Sequence, residues 1–246
     1  MIGICDSGVG GLIVYQKLKK LLPDASYIYL ADQAYAPYGE RTQAEITSRM
    51  KLVVELLIQK GATIVVIACN TATVNAIDEL RLSFPKVPIV GMEPAIKPAA
   101  AVADKIIVLG TNSTVHNTRY RSLVDHYASG KTVWNVGAPE LVRQVESGKL
   151  DKTDLLWAKI DPYIIEGAQA LVVGCSHFSF LIPIIQQLWP ELQIFDGADG
   201  VARRANELRA SIGVALSGDE DHFVTTGTAK EVAFLNPPIT FEHIDL

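Results

Sequence analysis

Gly61-Ala62-Thr63-Ile64-Val65-Val66-Ile67-Ala68-Cys69-Asn70-Thr71 is the stretch from which the rest of the chain becomes readable. Its run of residues is apolar at consecutive positions, so both faces of the strand it forms must be covered. That is the signature of a parallel sheet flanked by helices. The same pattern returns 106 residues later as Gly167-Ala168-Gln169-Ala170-Leu171-Val172-Val173-Gly174-Cys175, with the cysteine again eight positions after the glycine. Similar offsets bring the first strand and Ser7 onto Ile106 to Thr111, and Ile89 to Gly91 near Ile194 to Asp196. Chance likeness between buried strands is the competing explanation, and the matched Gly-to-Cys spacing favours a repeat. The chain therefore reads as two related halves meeting near residues 95–104.

Outward from these two stretches, short apolar runs alternate with amphipathic ones. Strands are expected at 2–5, 26–31, 63–68, 88–92, 105–109, 132–136, 169–174 and 192–195, with helical patterns between most of them, such as Leu12 to Leu22 and Ala44 to Gln59. This alternation predicts an α/β fold of two pseudo-symmetric, open, mostly parallel-sheet domains. The 246 residues suit one large domain or two small ones. Apolar residues at 49% against 20% charged exclude a disordered chain. The net charge of −5 lacks the broad basic footprint of a nucleic-acid binder. No apolar stretch reaches the ~18 residues of a membrane span, and Met1-Ile2-Gly3-Ile4-Cys5-Asp6 carries no basic region of a signal peptide. A cytoplasmic protein with no membrane or nucleic-acid partner is expected.

Three cysteines, Cys5, Cys69 and Cys175, are too few and odd in number for a disulfide framework, so free thiols are expected. A free cysteine is ordinarily a small buried hydrophobe, and Cys5, inside the first strand, reads so. Cys69 and Cys175 differ. Each ends a strand and precedes polar residues and a helical stretch, and ligands of open α/β sheets bind at such strand ends. Unpaired N–H groups at a helix start favour a thiolate. Two thiols presented from opposite sides of a central cleft suit one chemistry in particular. One removes a proton from a stereocentre and the other returns a proton to the opposite face.

Other motifs lead elsewhere and fail. After Gly8 and Gly10 in Asp6-Ser7-Gly8-Val9-Gly10-Gly11, the third glycine of a dinucleotide fingerprint would fall at Ile13. Ser129-Gly130-Lys131-Thr132 would need its leading glycine at Asp125 to be a phosphate loop. No His, Cys and carboxylate set has metal-ligand spacing, and no lysine stands out as a Schiff-base former. No metal and no cofactor are expected.

The segments Asp6-Ser7-Gly8-Val9-Gly10-Gly11-Leu12, Ala31-Asp32, Pro37-Tyr38-Gly39, Ile67-Ala68-Cys69-Asn70-Thr71-Ala72, Val90-Gly91-Met92-Glu93-Pro94-Ala95, Gly110-Thr111 with Thr114, Gly174-Cys175-Ser176-His177 and Thr225-Thr226-Gly227 run in order along nearly the whole chain. Together they resemble the cofactor-independent aspartate/glutamate racemase family, and within it the glutamate racemases. The resemblance implies that Cys69 and Cys175 are the proton-transfer thiols, that Asp6 and His177 stand beside them, and that Glu146 is a carboxylate near the second thiol. It implies substrate contacts at Asp6, Ser7, Tyr38, Gly39, Asn70, Thr71, Thr114, Ser176 and His177. It also implies two domains, 1–96 with 208–246 and 97–207, with the active site in the cleft between them. Glutamate is the implied small-molecule substrate, a homodimer the implied assembly, and D-glutamate for peptidoglycan the implied use. The chain departs from the family in having Ser176 where Thr is usual, Phe178-Ser179 where Tyr-Pro is usual, and Ala138 where a Cys often precedes Pro.

Plainer readings stand beside these. Asp6 can cap the following helix, His177 can be a satisfied histidine at a helix start, Tyr38-Gly39 can be an ordinary turn, and Glu146 can belong to a polar helix face. At the level of the whole chain, the rivals are an aspartate racemase and a non-catalytic amino-acid-binding protein. A thiol oxidoreductase lacks its Cys-x-x-Cys.

Overall fold

The computed structural model describes residues 1–213, 220–228, 231–232, 235 and 238–246. In chain order it contains β1 (Ile2–Asp6), α1 (Leu12–Leu21), β2 (Tyr27–Ala31), α2 (Gln43–Gln59), β3 (Ile64–Ile67), α3 (Asn70–Ser83) and β4 (Ile89–Gly91). Then follow α4 (Ile96–Ala100), β5 (Lys105–Gly110), α5 (Asn112–Val115), α6 (Thr118–Tyr127), β6 (Thr132–Gly137), α7 (Pro139–Glu146), α8 (Asp154–Ile165), β7 (Ala170–Gly174), α9 (Ile182–Leu188) and β8 (Gln193–Phe195). The chain ends with α10 (Ala198–Ser211), β9 (His222–Thr225), β10 (Glu231–Val232), β11 (Ile239–Thr240) and β12 (Glu242–His243). Each of the eight expected strands is present to within one residue at either end.

The chain divides into one unit of Met1–Met92 with Ala198–Leu246 and another of Glu93–Gly197. These boundaries differ from those expected at 96/97 and 207/208. Helix α10 falls in the first unit because it packs along α1, with Lys17 and Asp199 ion-paired at 3.0 Å. Of the expected segment 208–246, residues 214–219, 229–230, 233–234 and 236–237 lie outside the described residues.

In the first unit the sheet runs β12-β9-β2-β1-β3-β4, and in the second β6-β5-β7-β8, with every neighbouring pair parallel. The order β2-β1-β3-β4 and the order β6-β5-β7-β8 are one topology drawn twice. β1, β2 and β3 are buried at every residue, as strands covered on both faces must be.

The internal repeat has a local cause. Gly61 (φ +96°) and Gly167 (φ +87°) take the left-handed conformation just past α2 and α8. After α2, Gly61 N–H donates to the Ile58 carbonyl and Ala62 N–H to that of Leu57, both at 2.9 Å. After α8, Gly167 N–H donates to Ile164 and Ala168 N–H to Tyr163, also at 2.9 Å. Both are the glycine-ended helix stop in which two orphan carbonyls are satisfied in reverse order. The next residue then joins the sheet, Thr63 N–H to the Met1 carbonyl and Gln169 N–H to the Lys105 carbonyl. α2 is opened as firmly as it is closed. Thr42 and Glu45 exchange side-chain and backbone hydrogen bonds in a capping box, and Ile46, Met50, Val53, Val54 and Leu57 form its buried face.

The tail strands β9 to β12 were not among the expected strands. β9 lies parallel beside β2, with Ile28 opposite His222 and Ala31 opposite Thr225. Asp221 anchors it, accepting from the Tyr15 hydroxyl at 2.8 Å and from the Tyr27 N–H at 3.1 Å and pairing with Lys19 at 3.0 Å.

Gly61→Ala tests the turn alone, because a Cβ there meets nothing within 4 Å. The left-handed backbone should cost the variant about 1 kcal/mol, read as a lower urea midpoint at unchanged slope.

Candidate active site

An open parallel sheet offers a ligand its place beyond the carboxyl ends of the strands where the winding reverses. In the first unit that place is between β1 and β3, and in the second between β5 and β7. Asp6 ends β1 and Ser7 follows it, while Cys69 lies just past β3. Thr111 follows β5 and Cys175 follows β7.

In the first unit, Cys69 is the N-cap of α3. Its sulfur accepts from the Ala72 N–H at 3.4 Å, the position usually held by a serine or aspartate oxygen. The Cys69 Sγ lies 3.8 Å from Ser7 Oγ. Cys69, Asp6, Ser7, Asn70 and Thr71 are all buried. The Asp6 carboxylate accepts from the Gly8 N–H at 3.0 Å. It does not cap α1, whose N-cap is Gly11 with no side-chain bond. Gly11 is needed for packing, since a Cβ there would come within 2.7 Å of Ala68 Cβ and 2.8 Å of Asp6 Cβ. Two polar side chains of α3 hold the end of β4. Asn70 Nδ2 donates to the Met92 carbonyl at 3.1 Å, and Met92 N–H donates to Thr73 Oγ1 at 3.1 Å. That leaves Asn70 Oδ1 buried with no hydrogen-bond partner among the described residues. A buried acceptor left so is costly unless something else supplies a donor.

Cys5 is 1% exposed, and its thiol donates to the Val66 carbonyl at 3.7 Å. Burial first, and the nearby Asp6 second, push its pKa up. It is a neutral core thiol.

In the second unit, Cys175 is the N-cap residue of a short 3₁₀ helix over Ser176–Leu181, but its side chain makes no capping bond. Both thiols therefore stand at helix starts as expected, and only Cys69 caps with its sulfur. The neighbour of Cys175 is an imidazole instead, with His177 Nδ1 3.9 Å from its sulfur and 3.4 Å from Ser176 Oγ. The other ring nitrogen, His177 Nε2, is 2.7 Å from Glu146 Oε1 at the end of α7. A carboxylate, an imidazole and a thiol thus stand in line, with the histidine buried. Thr111 caps α5, accepting from the Thr114 N–H at 3.2 Å, and the two buried hydroxyls are 3.0 Å apart.

Tyr38 is placed differently from a side chain that reaches a ligand. Its hydroxyl is buried and donates to Asp32 Oδ2 at 2.6 Å. With Gly39 it forms a 3₁₀ turn, Tyr38–Glu40, in which Tyr38 and Gly39 have only backbone left to offer a ligand. Among the described residues no three His, Cys, Asp or Glu side chains gather as a metal site, and no helix is long and apolar enough to cross a membrane.

The profile of the Asp/Glu/Hydantoin racemase family matches residues 2–205. The chain belongs to that family. It is an amino-acid racemase, and its relatives span nearly its whole length. The glutamate racemase of Stutzerimonas stutzeri is 36% identical over 243 residues, 96% of this racemase and 92% of that one. The crystal structure of Escherichia coli glutamate racemase in complex with L-glutamate and the activator UDP-MurNAc-ala is 31% identical. It superposes with a TM-score of 0.84 over 92% of this chain and 89% of that one. A Bacillus anthracis glutamate racemase isoform is 27% identical and gives 0.86 over 100% and 97%.

The structure gathers Asp6, Ser7, Cys69, Asn70 and Thr71 in the first unit of this racemase, and Glu146, Cys175, Ser176 and His177 in the second. Thr114 lies beside Thr111 at the end of β5. Sequence reasoning passed over Asp32, whose motif Ala31-Asp32 it had noted. The signal was there in the form of a charged residue directly after a fully apolar strand.

Tyr38 is raised well above the ordinary tyrosine range by burial and then by Asp32, and Tyr15, Tyr27 and Tyr120 are raised chiefly by burial. A raised folded-state pKa gives stability that is full below the unfolded value of about 10 and is lost as pH climbs past it. Unfolding free energy should therefore fall above pH about 10. The tyrosinate absorbance of these groups should appear only together with unfolding in an alkaline titration followed at constant temperature.

Proposed function

We propose that this racemase interconverts L- and D-glutamate without a cofactor, moving the Cα proton between Cys69 and Cys175. The observation that carries the reading is positional. Each thiol stands just past the equivalent strand, β3 or β7, at the reversal point of its own sheet, surrounded by polar groups that are themselves buried.

In one direction the Cys69 thiolate takes the Cα proton, leaving a carbanion, and the Cys175 thiol gives its proton to the other face. In the other direction the roles exchange. After each turnover the thiols hold the opposite protonation, so a proton must be returned before the same enantiomer can react again. Asp6 near Cys69, and His177 oriented by Glu146 near Cys175, are the groups proposed for that return. The partnerless Asn70 Oδ1 is suited to accept from the substrate ammonium. Ser7, Thr71, Thr114, Ser176 and the backbone of Tyr38-Gly39 are suited to its carboxylates. Both thiols are only 5% exposed, which favours electrostatic contacts and limits solvent protonation of the carbanion. The proposed use of D-glutamate is peptidoglycan synthesis in the cytoplasm, by a homodimer. The likeness to bacterial glutamate racemases supports this.

Incubation with L-glutamate alone, followed by optical rotation, tests the activity directly. L-Aspartate in place of L-glutamate tests the rival substrate. Activity should survive exhaustive dialysis against EDTA. Saturating D- or L-glutamate should raise the melting temperature, since a ligand at a hundredfold its Kd adds about 2.7 kcal/mol to the folded state.

The two thiols are separable. Cys69→Ser and Cys175→Ser should each cut racemisation on the order of 10²–10⁴-fold. With a glutamate analogue bearing a leaving group at C3, abstraction of the Cα proton is followed by departure of that group, and no reprotonation is needed. Cys69→Ser should keep elimination with the L enantiomer and Cys175→Ser with the D enantiomer. Loss of the same enantiomer in both variants would sink the two-thiol scheme.

A further inference from the structure

Asp32 is fully buried, and its carboxylate accepts four hydrogen bonds. Arg49 on α2 binds it with two nitrogens, Nε to Oδ2 at 2.8 Å and Nη2 to Oδ1 at 2.6 Å. The Tyr38 hydroxyl takes Oδ2 at 2.6 Å, and the Thr226 hydroxyl, past β9, takes Oδ1 at 2.7 Å. Thr226 Oγ1 also accepts from the Ala34 N–H at 3.1 Å, so it holds the chain leading from Asp32 to Tyr38 at two points. The segment is clamped further by its aromatic ring. Tyr35 lies under Arg41 at 4.5 Å and under Arg49 at 5.2 Å, and packs edge-on to Tyr38. Asp32 N–H donates to the Asp6 carbonyl at 2.9 Å, which joins this network to the strand end that carries Asp6 and Ser7.

A buried carboxylate is expensive, and removing one partner of such a pair leaves an uncompensated charge. Here all four acceptor positions are filled, and all but the guanidinium's two are filled from the turn and the tail. A carboxylate whose only task was to neutralise Arg49 would not need either hydroxyl.

We infer that Asp32, braced by Arg49 and by Thr226 from the tail, is a positioning residue that fixes the Tyr38-Gly39 turn for substrate. It acts through the Tyr38 hydroxyl and takes no part in proton transfer. This rests on the proposed glutamate racemase activity and on the turn as a substrate contact.

Thr226→Val and Thr226→Ser distinguish positioning from bulk stability. Valine keeps the shape and loses the hydroxyl, so both of its hydrogen bonds vanish. Serine keeps the hydroxyl and loses only a methyl. Thr226→Val should raise KM for glutamate about tenfold with kcat within about threefold of wild type, and Thr226→Ser should keep KM within about twofold. Tyr38→Phe leaves the Asp32–Arg49 pair whole and reads the same link from the other side, so it too should raise KM at near-normal kcat. This second variant decides the matter if Thr226→Val does not fold. Equal KM for the valine and serine variants, or an unchanged KM in Tyr38→Phe, would overturn the positioning role while leaving the activity standing. A wild type that fails to racemise glutamate would overturn both.

Discussion

The winding of each sheet reverses at its first strand, and everything that follows depends on that. β1 has β2 on one side and β3 on the other, and β5 has β6 and β7. Successive crossovers therefore leave in opposite directions, and the loops after these central strands part and leave backbone N–H groups and short polar side chains facing a gap. A parallel sheet buried on both faces has no other place for polar chemistry. The sites of Asp6, Ser7 and Cys69 in one unit, and of Thr111, Cys175 and His177 in the other, follow from topology before any side chain is considered.

The two units share this plan and differ in how they treat sulfur. Cys69 sits at the start of a 14-residue helix and receives the Ala72 N–H. Helix dipole and amide groups supply positive potential there. Cys175 stands before a 3₁₀ turn and instead has His177, itself bonded to Glu146. An imidazole held between a carboxylate and a thiol has its tautomer and orientation set from outside. The two sulfurs therefore have different surroundings, a hydroxyl and an amide at Cys69 and an imidazole at Cys175, and under the proposed scheme that difference suits two half-reactions starting from different enantiomers.

The buried carboxylate of Asp32 shows how the tail contributes. Without β9, the edge of the first sheet at β2 would be open, and Thr226 would be absent from the network around Tyr38. A chain that returns to its first unit after building a second can thus close a sheet edge and stiffen a turn near the reversal point with the same few residues.

Read alone, the chain determined its fold class, its eight principal strands and the placing of one cysteine just past each of two matched strands. Those features are local. Consecutive apolar residues demand a doubly covered strand, a positive-φ glycine ends a helix, and the Gly-to-Cys spacing counts out one strand between them. The departures came where distance along the chain is large. Asp32 reaches Thr226 across 194 positions and Tyr15 reaches Asp221 across 206, and no periodicity encodes such contacts. Resemblance put Glu146 near the second thiol, but only folding shows that it meets His177 across 31 positions, because the end of α7 must first be packed beside the turn after β7. The same holds for Tyr38. Sequence singled out the residue, while tertiary structure turned its hydroxyl inward, since a phenol buried beside a carboxylate is more stable bonded to it than left unpaired.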